Sequence, residues 1–99
     1  MRKKIIKVDN ENYYGVLRMR ISVVETTTNQ TVKLEVEQNH TVGSVIETVI
    51  DGLGLSRDRS YVLTLGEKEL GADKHSLTLE AAGIRDGDTL ELMGRPIGG

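Results

Sequence analysis

Between Met19 and Leu53 the apolar residues change their spacing once, and that change limits the possible folds more than any other feature of the chain. Met19, Ile21 and Val23 alternate with Arg20, Ser22 and Val24; Val32, Leu34 and Val36 alternate with Lys33, Glu35 and Glu37. A period of two places each apolar set on one face of a strand. Residues 26–30 between them are polar, and Asn29 tolerates a left-handed backbone, so the pair predicts a β-hairpin rich in β-branched residues. From Val42 the spacing becomes i, i+3, i+4, i+7, i+8 and i+11 through Val45, Ile46, Val49, Ile50 and Leu53, the stripe of an amphipathic helix. Thr41 is suited to cap its start with a hydroxyl that accepts from a first-turn amide, and Gly52 and Gly54 permit a left-handed end. Gly43 costs the first turn about 1 kcal/mol relative to alanine. Such a helix is marginal alone and needs an apolar sheet face against its stripe.

Further along, a polar turn at residues 56–60 leads to a third strand, Tyr61-Val62-Leu63-Thr64-Leu65. Gly66 and Glu67 turn the chain into a short return, Lys68-Glu69-Leu70. Leu77, Leu79 and Ile84 anchor a looser segment, Asp86-Gly87-Asp88 reads as a tight turn, and residues 89–93 form the last strand. This order predicts an α+β domain, a ββαββ mixed sheet with one helix packed on one face. The domain spans residues 19–93, followed by a flexible tail, 94–99, that ends in Gly98-Gly99. Residues 1–18 read as a basic extension. Within it Lys4-Ile5-Ile6-Lys7-Val8 has the pattern of an edge strand, and a disordered leader is the alternative reading.

Composition removes several functional classes. With 99 residues the chain has room for one small core. It lacks cysteine, which removes disulfides, a thiol nucleophile and thiolate metal sites and suits a reducing cytoplasm. Positive charge gathers early, in Arg2, Lys3, Lys4, Lys7 and Arg18, while the remainder is acidic, so no nucleic-acid partner is expected. Nor does any apolar run approach the roughly 20 residues of a membrane span. His40 and His75 are the only imidazoles, stand in no metal-ligand spacing, and read as solvent-exposed. Asp86 and Asp88 read as turn residues, and Gly52-x-Gly54 ends a helix where a phosphate loop would open one. The expectation is a chain that is not itself an enzyme and carries no metal or cofactor.

Several short segments also stand in a telling order. Met19-Arg20-Ile21, Leu34-Glu35-Val36-Glu37, Thr41-Val42, Gly66 with Lys68 and Leu70, and Thr78-Leu79 through Gly83-Ile84 to Thr89-Leu90-Glu91-Leu92 are collinear with their counterparts in ubiquitin. Over residues 19–99 the chain resembles the ubiquitin family of β-grasp proteins. The resemblance puts Gly98 and Gly99 on the conjugated diglycine and Arg95 on the arginine read by the activating enzyme. Glycine suits such an end, because it has no Cβ to obstruct a narrow channel. The implied function is a ubiquitin-like protein modifier. A partner activating enzyme would use ATP and magnesium to form an acyl-adenylate at Gly99, and an enzyme cysteine would take the acyl group as a thioester. A lysine of the target protein would then accept it as an isopeptide. A conjugating enzyme and a deconjugating protease complete the implied partners.

Other positions follow the family less closely. Counted without a gap from Gly54, Leu63 and Met93 take the places of the apolar partner-binding patch; a one-residue shift to absorb Glu67 would turn Val62 outward instead. The hairpin loop Thr26-Thr27-Thr28 lacks the family's leucine, and Glu91 replaces its histidine. Lys68 stands at the best-known chain-linkage position, offset by Glu67. Pro96-Ile97 ahead of the diglycine resembles the small sulfur carriers of molybdopterin and thiamine synthesis. A C-terminal thiocarboxylate serving cofactor or tRNA thiolation is therefore the alternative function, and a non-covalent β-grasp adaptor the third.

Overall fold

The computed structural model describes residues 4–7 and 18–97. Its elements are β1 (Lys4–Lys7), β2 (Arg18–Glu25), β3 (Gln30–Glu37), α1 (Val42–Leu53), β4 (Arg59–Leu65), β5 (Lys68–Leu70), a 3-10 turn at Ala72–Lys74, and β6 (Thr89–Pro96). They build one mixed sheet in the order β1-β3-β2-β6-β4-β5. From β2 onward, β2, β3, α1, β4 and β6 give the expected ββαββ arrangement, and β5 is the expected short return. β1 adds a sixth along the free side of β3, parallel to it.

Each turn has an identifiable cause. In the β2–β3 hairpin the buried carboxylate of Glu25 accepts from the amides of Thr27 and Thr28 (3.0 and 2.9 Å) and from the Thr28 hydroxyl (2.7 Å). Asn29 takes the left-handed conformation with φ 60°, and its amide donates to the Glu25 carbonyl at 2.8 Å. Burial pushes the Glu25 carboxyl up, but the hydrogen bonds from Thr28 and Thr27 outweigh it and hold the group below its ordinary value. At the helix start the Thr41 hydroxyl accepts from the Ser44 amide at 3.1 Å. The amides of Val42 and Gly43 donate to the carbonyls of Leu77 and His75 (2.9 and 2.8 Å), so the first turn leaves no donor stranded. A Cβ on Gly43 would lie 3.1 Å from the His75 carbonyl oxygen, which is why glycine occupies this costly position. The helix ends on Gly54 at φ 65°, and the Leu55 amide returns to the Ile50 carbonyl at 2.9 Å.

The core lies between α1 and one face of the sheet. Val42, Val45, Ile46, Val49 and Ile50 are buried in one cluster with Ile21, Val23, Leu34, Leu63, Leu90 and Leu92, joined by Leu79, Ala82 and Ile84 from the segment that follows β5 in the chain. Leu53, the last of the helix stripe, is only partly buried. Leu63 therefore faces inward, opposite Leu92 on β6 and Leu70 on β5, contrary to the outward position expected from ungapped counting. Leu65 pairs with Lys68 across the two-residue turn Gly66-Glu67, and counting back from that pair turns Leu63 inward and Val62 outward, the one-residue shift that reverses every side chain of β4. A second difference concerns the tail: β6 continues to Pro96, paired with β4 from Arg59 onward, so residues 94–96 belong to the sheet.

Two outcomes follow for stability. Leu63→Ala removes a fully buried side chain and is expected to cost about 2–5 kcal/mol in chemical denaturation, whereas Met93→Ala stays within about 0.5 kcal/mol. Glu25→Gln is expected to cost about 1.5–3 kcal/mol at neutral pH, the worth of hydrogen bonds to a charged group. Because the folded pKa of Glu25 is depressed, its contribution is complete above the ordinary glutamate value and fades as pH falls through the folded one. Denaturation at a series of pH values should show the gap between wild type and E25Q closing in that acid range.

Candidate functional site

The last strand brings the expected site residues to the surface by simple alternation. On β6, Leu90, Leu92 and Gly94 point to the helix side, while Glu91, Met93 and Arg95 point outward. Gly94 lies opposite Tyr61, and a Cβ there would come within 2.8 Å of the tyrosine Cε1. The ring thus lies over bare backbone, and the Tyr61 hydroxyl donates to the Ser56 carbonyl at 2.6 Å. This local fit carries the strand past the boundary read from the sequence, where Gly94 and Pro96 look like tail residues. Pro96, without an amide to donate, is tolerated at the strand end opposite Arg59.

Arg95 does not stand free. Its guanidinium donates to Glu69 Oε2 on β5 at 2.9 Å, and both side chains are about half exposed (49% and 56%). Sequence reasoning did not find Glu69; the only signal for it was a carboxylate on a short strand of the same outward parity. Beside this ion pair, Val62 on β4 faces Met93 on β6. Met93 is 41% exposed and Val62 is covered to within 7%. The outward apolar pair is therefore Val62–Met93, the shifted alternative, and Leu63 does not join it. Glu91 and Thr64 form the next pair along the same face. Gly98 and Gly99 lie outside the described residues.

Lys68, the candidate linkage lysine, is exposed, and its Nζ donates to the Ala82 carbonyl at 3.0 Å. Both histidines depart from the exposed positions expected of them. The His40 Nδ1 accepts from the Glu37 amide at 3.1 Å, and the side chain retains only 12% of its exposure. His75 is partly buried with its Nε2 enclosed, because residues 71–79 fold over the first turn of α1. Polar loops conceal these rings where sequence polarity alone suggested solvent. The Asp86-Gly87-Asp88 segment is a structural turn: Asp86 Oδ1 accepts from the Arg20 amide at 2.7 Å and Asp88 Oδ2 from the Arg85 amide at 2.8 Å. Among the described residues no group of His, Cys, Asp or Glu is placed to hold a metal ion, and no helix is long and apolar enough to cross a membrane.

Chemically, the arrangement offers an outward face with one exposed apolar side chain, an adjoining arginine, and a strand leading directly to the diglycine. Comparison with known proteins agrees with the fold. The family model described as WXG100 protein secretion system (Wss), protein YukD, matches residues 18–92. Among solved structures, a ubiquitin of Caldiarchaeum subterraneum aligns at 34% identity and TM-score 0.69, over 84% of this chain and 100% of its own. A de novo designed protein based on ubiquitin aligns at 25% identity and TM-score 0.68, over 82% of this chain and 93% of its own. No curated protein matches. The chain is a ubiquitin-like β-grasp protein and belongs to the YukD family.

Proposed function

We propose that this protein is a cytoplasmic ubiquitin-like modifier, activated at Gly99 and joined to lysines of other proteins. The observation that carries this reading is the end of β6, where the outward Arg95 is followed within four residues by Gly98-Gly99. Likeness to an archaeal ubiquitin over that protein's full length supports it. In this reading the Gly99 carboxylate attacks the α-phosphate of ATP and expels pyrophosphate. A thiolate of the activating enzyme then displaces AMP. A lysine amine finally displaces the thiolate and loses a proton, leaving an isopeptide bond. Every catalytic group belongs to the partners. Val62 and Met93 form the partner-binding patch, and Lys68 is the lysine that extends chains.

Residues 94–96 are paired with β4, so presentation of the tail requires the end of β6 to peel away. Little opposes this: Pro96 has no amide to give, and a half-exposed ion pair such as Arg95–Glu69 is worth about 0–1 kcal/mol. Glu69→Ala frees Arg95 and is expected to speed thioester formation on the activating enzyme by no more than about fivefold in single-turnover assays.

The direct test is purification of tagged protein from its host under denaturing conditions. Wild type is expected to yield a ladder of higher-mass adducts that disappears when Gly98-Gly99 is deleted, and Lys68→Arg is expected to remove the upper rungs while leaving the first. If no growth condition yields adducts, the modifier reading fails. An intact mass raised by exchange of one oxygen for sulfur would then indicate a thiocarboxylate carrier. Membership of a family described through a secretion system favours one further reading, a non-covalent adaptor, whose partner binding would survive deletion of the diglycine.

A further inference from the structure

The sheet has two unlike edges. β5 ends one side with only three residues. The other side belongs to β3, whose eight residues would present a long row of open amides and carbonyls, the kind of edge on which an extended chain readily adds. β1 covers half of that row in parallel register, Lys4 against Val32, Ile5 against Lys33, Ile6 against Leu34 and Lys7 against Glu35.

This cover is separable from the fold. The family match begins at residue 18. A four-residue parallel strand on an edge is also the least firmly held kind of strand, since parallel pairing is slightly weaker per residue and edge elements open at low free energy. Lys7 and Arg18 are separated by ten residues of the same chain, so β1 competes for this edge as an intramolecular ligand.

From these observations we infer that the outer edge of β3 is a strand-addition site, closed in cis by β1. Its outside ligand is an extended peptide of β1's own chemistry, two adjacent β-branched residues between lysines. The register states the preference. The position against Leu34 takes an apolar β-branched residue, and the position against Glu35 takes a cation. Main-chain pairing supplies affinity and these positions supply selectivity. In the full chain an outside peptide must compete with the tethered strand, so the site is latent until β1 is displaced.

The test uses the full-length protein and a variant with Ile5→Pro and Ile6→Pro, which removes two amides from β1 and prevents its pairing. The probe is a fluorescent peptide of residues 1–10, followed by anisotropy. The peptide is expected to bind the variant at least tenfold more tightly than wild type. It should also restore amide-exchange protection to residues 30–37 of the variant, while protection of β4 and β6 is the same in both proteins. A peptide carrying the same two prolines should not bind. Equal binding to both proteins, or no binding to the variant despite exposed β3 amides, would overturn the inference. So would protection of the wild-type β3 edge that appears only on dimerisation, since β1 would then be seated on a second copy.

Discussion

Parallel pairing of β2 with β6 is the contact on which the rest of the structure depends. It joins the first and last strands of the ubiquitin-like domain at the centre of the sheet, from Ser22 opposite Thr89 to Glu25 opposite Leu92. Strands that pair in parallel cannot be joined by a tight turn, so everything between them must fold as a crossover, and α1 is the element that covers the resulting face. The pairing is aligned before it begins. Asp86 accepts from the Arg20 amide and the Gly87 amide donates to the Arg20 carbonyl, both at 2.7 Å, so the turn into β6 is itself bonded to β2. Gly87 reaches φ 90° to do this, a conformation that side-chain-bearing residues rarely adopt.

Much of this was legible in the sequence because local signals and the global fold agree. The alternation at Met19–Val23 and Val32–Val36 and the stripe from Val42 to Ile50 each became the buried face they announced, and Asn29 and Gly54 carry the positive φ values their turns require. Illegible features were those decided by contact between distant residues. Nothing near Gly94 marks it as strand; Tyr61, over thirty positions away, supplies the flat ring that fits over its backbone. The register of β4 was decided by pairing between Leu65 and Lys68. His40 and His75 looked exposed because burial by polar loops leaves no periodic trace.

The candidate site shows the same division. Arg95 and Met93 were placed by the resemblance of the last strand to that of the ubiquitin family, and both do face outward. Their neighbours were not found. Glu69 reaches Arg95 from another strand, and Val62 takes the place first given to Leu63. These two substitutions change the character of the surface. Its apolar area narrows to a single protruding methionine over a nearly covered valine, bordered by Glu91 and an arginine whose charge is already answered. The proposed patch therefore presents shape and charge together, since its apolar area alone is small.

The arrangement of β2 and β6 also determines how the molecule bears mechanical load. The two strands run in the same direction, so the beginning of β2 at Arg18 and the end of β6 at Pro96 lie at opposite ends of the pairing. Force applied between those points acts along the strands and loads all of their mutual hydrogen bonds at once. Traction on a tail attached beyond Pro96 against an anchored N-terminus therefore meets the sheet in shear. The antiparallel β4–β6 pair behaves differently: its bonds lie across a pull that lifts Pro96 from Arg59, and they open one after another from that end. One strand thus yields easily to peeling at its tip and resists along its length.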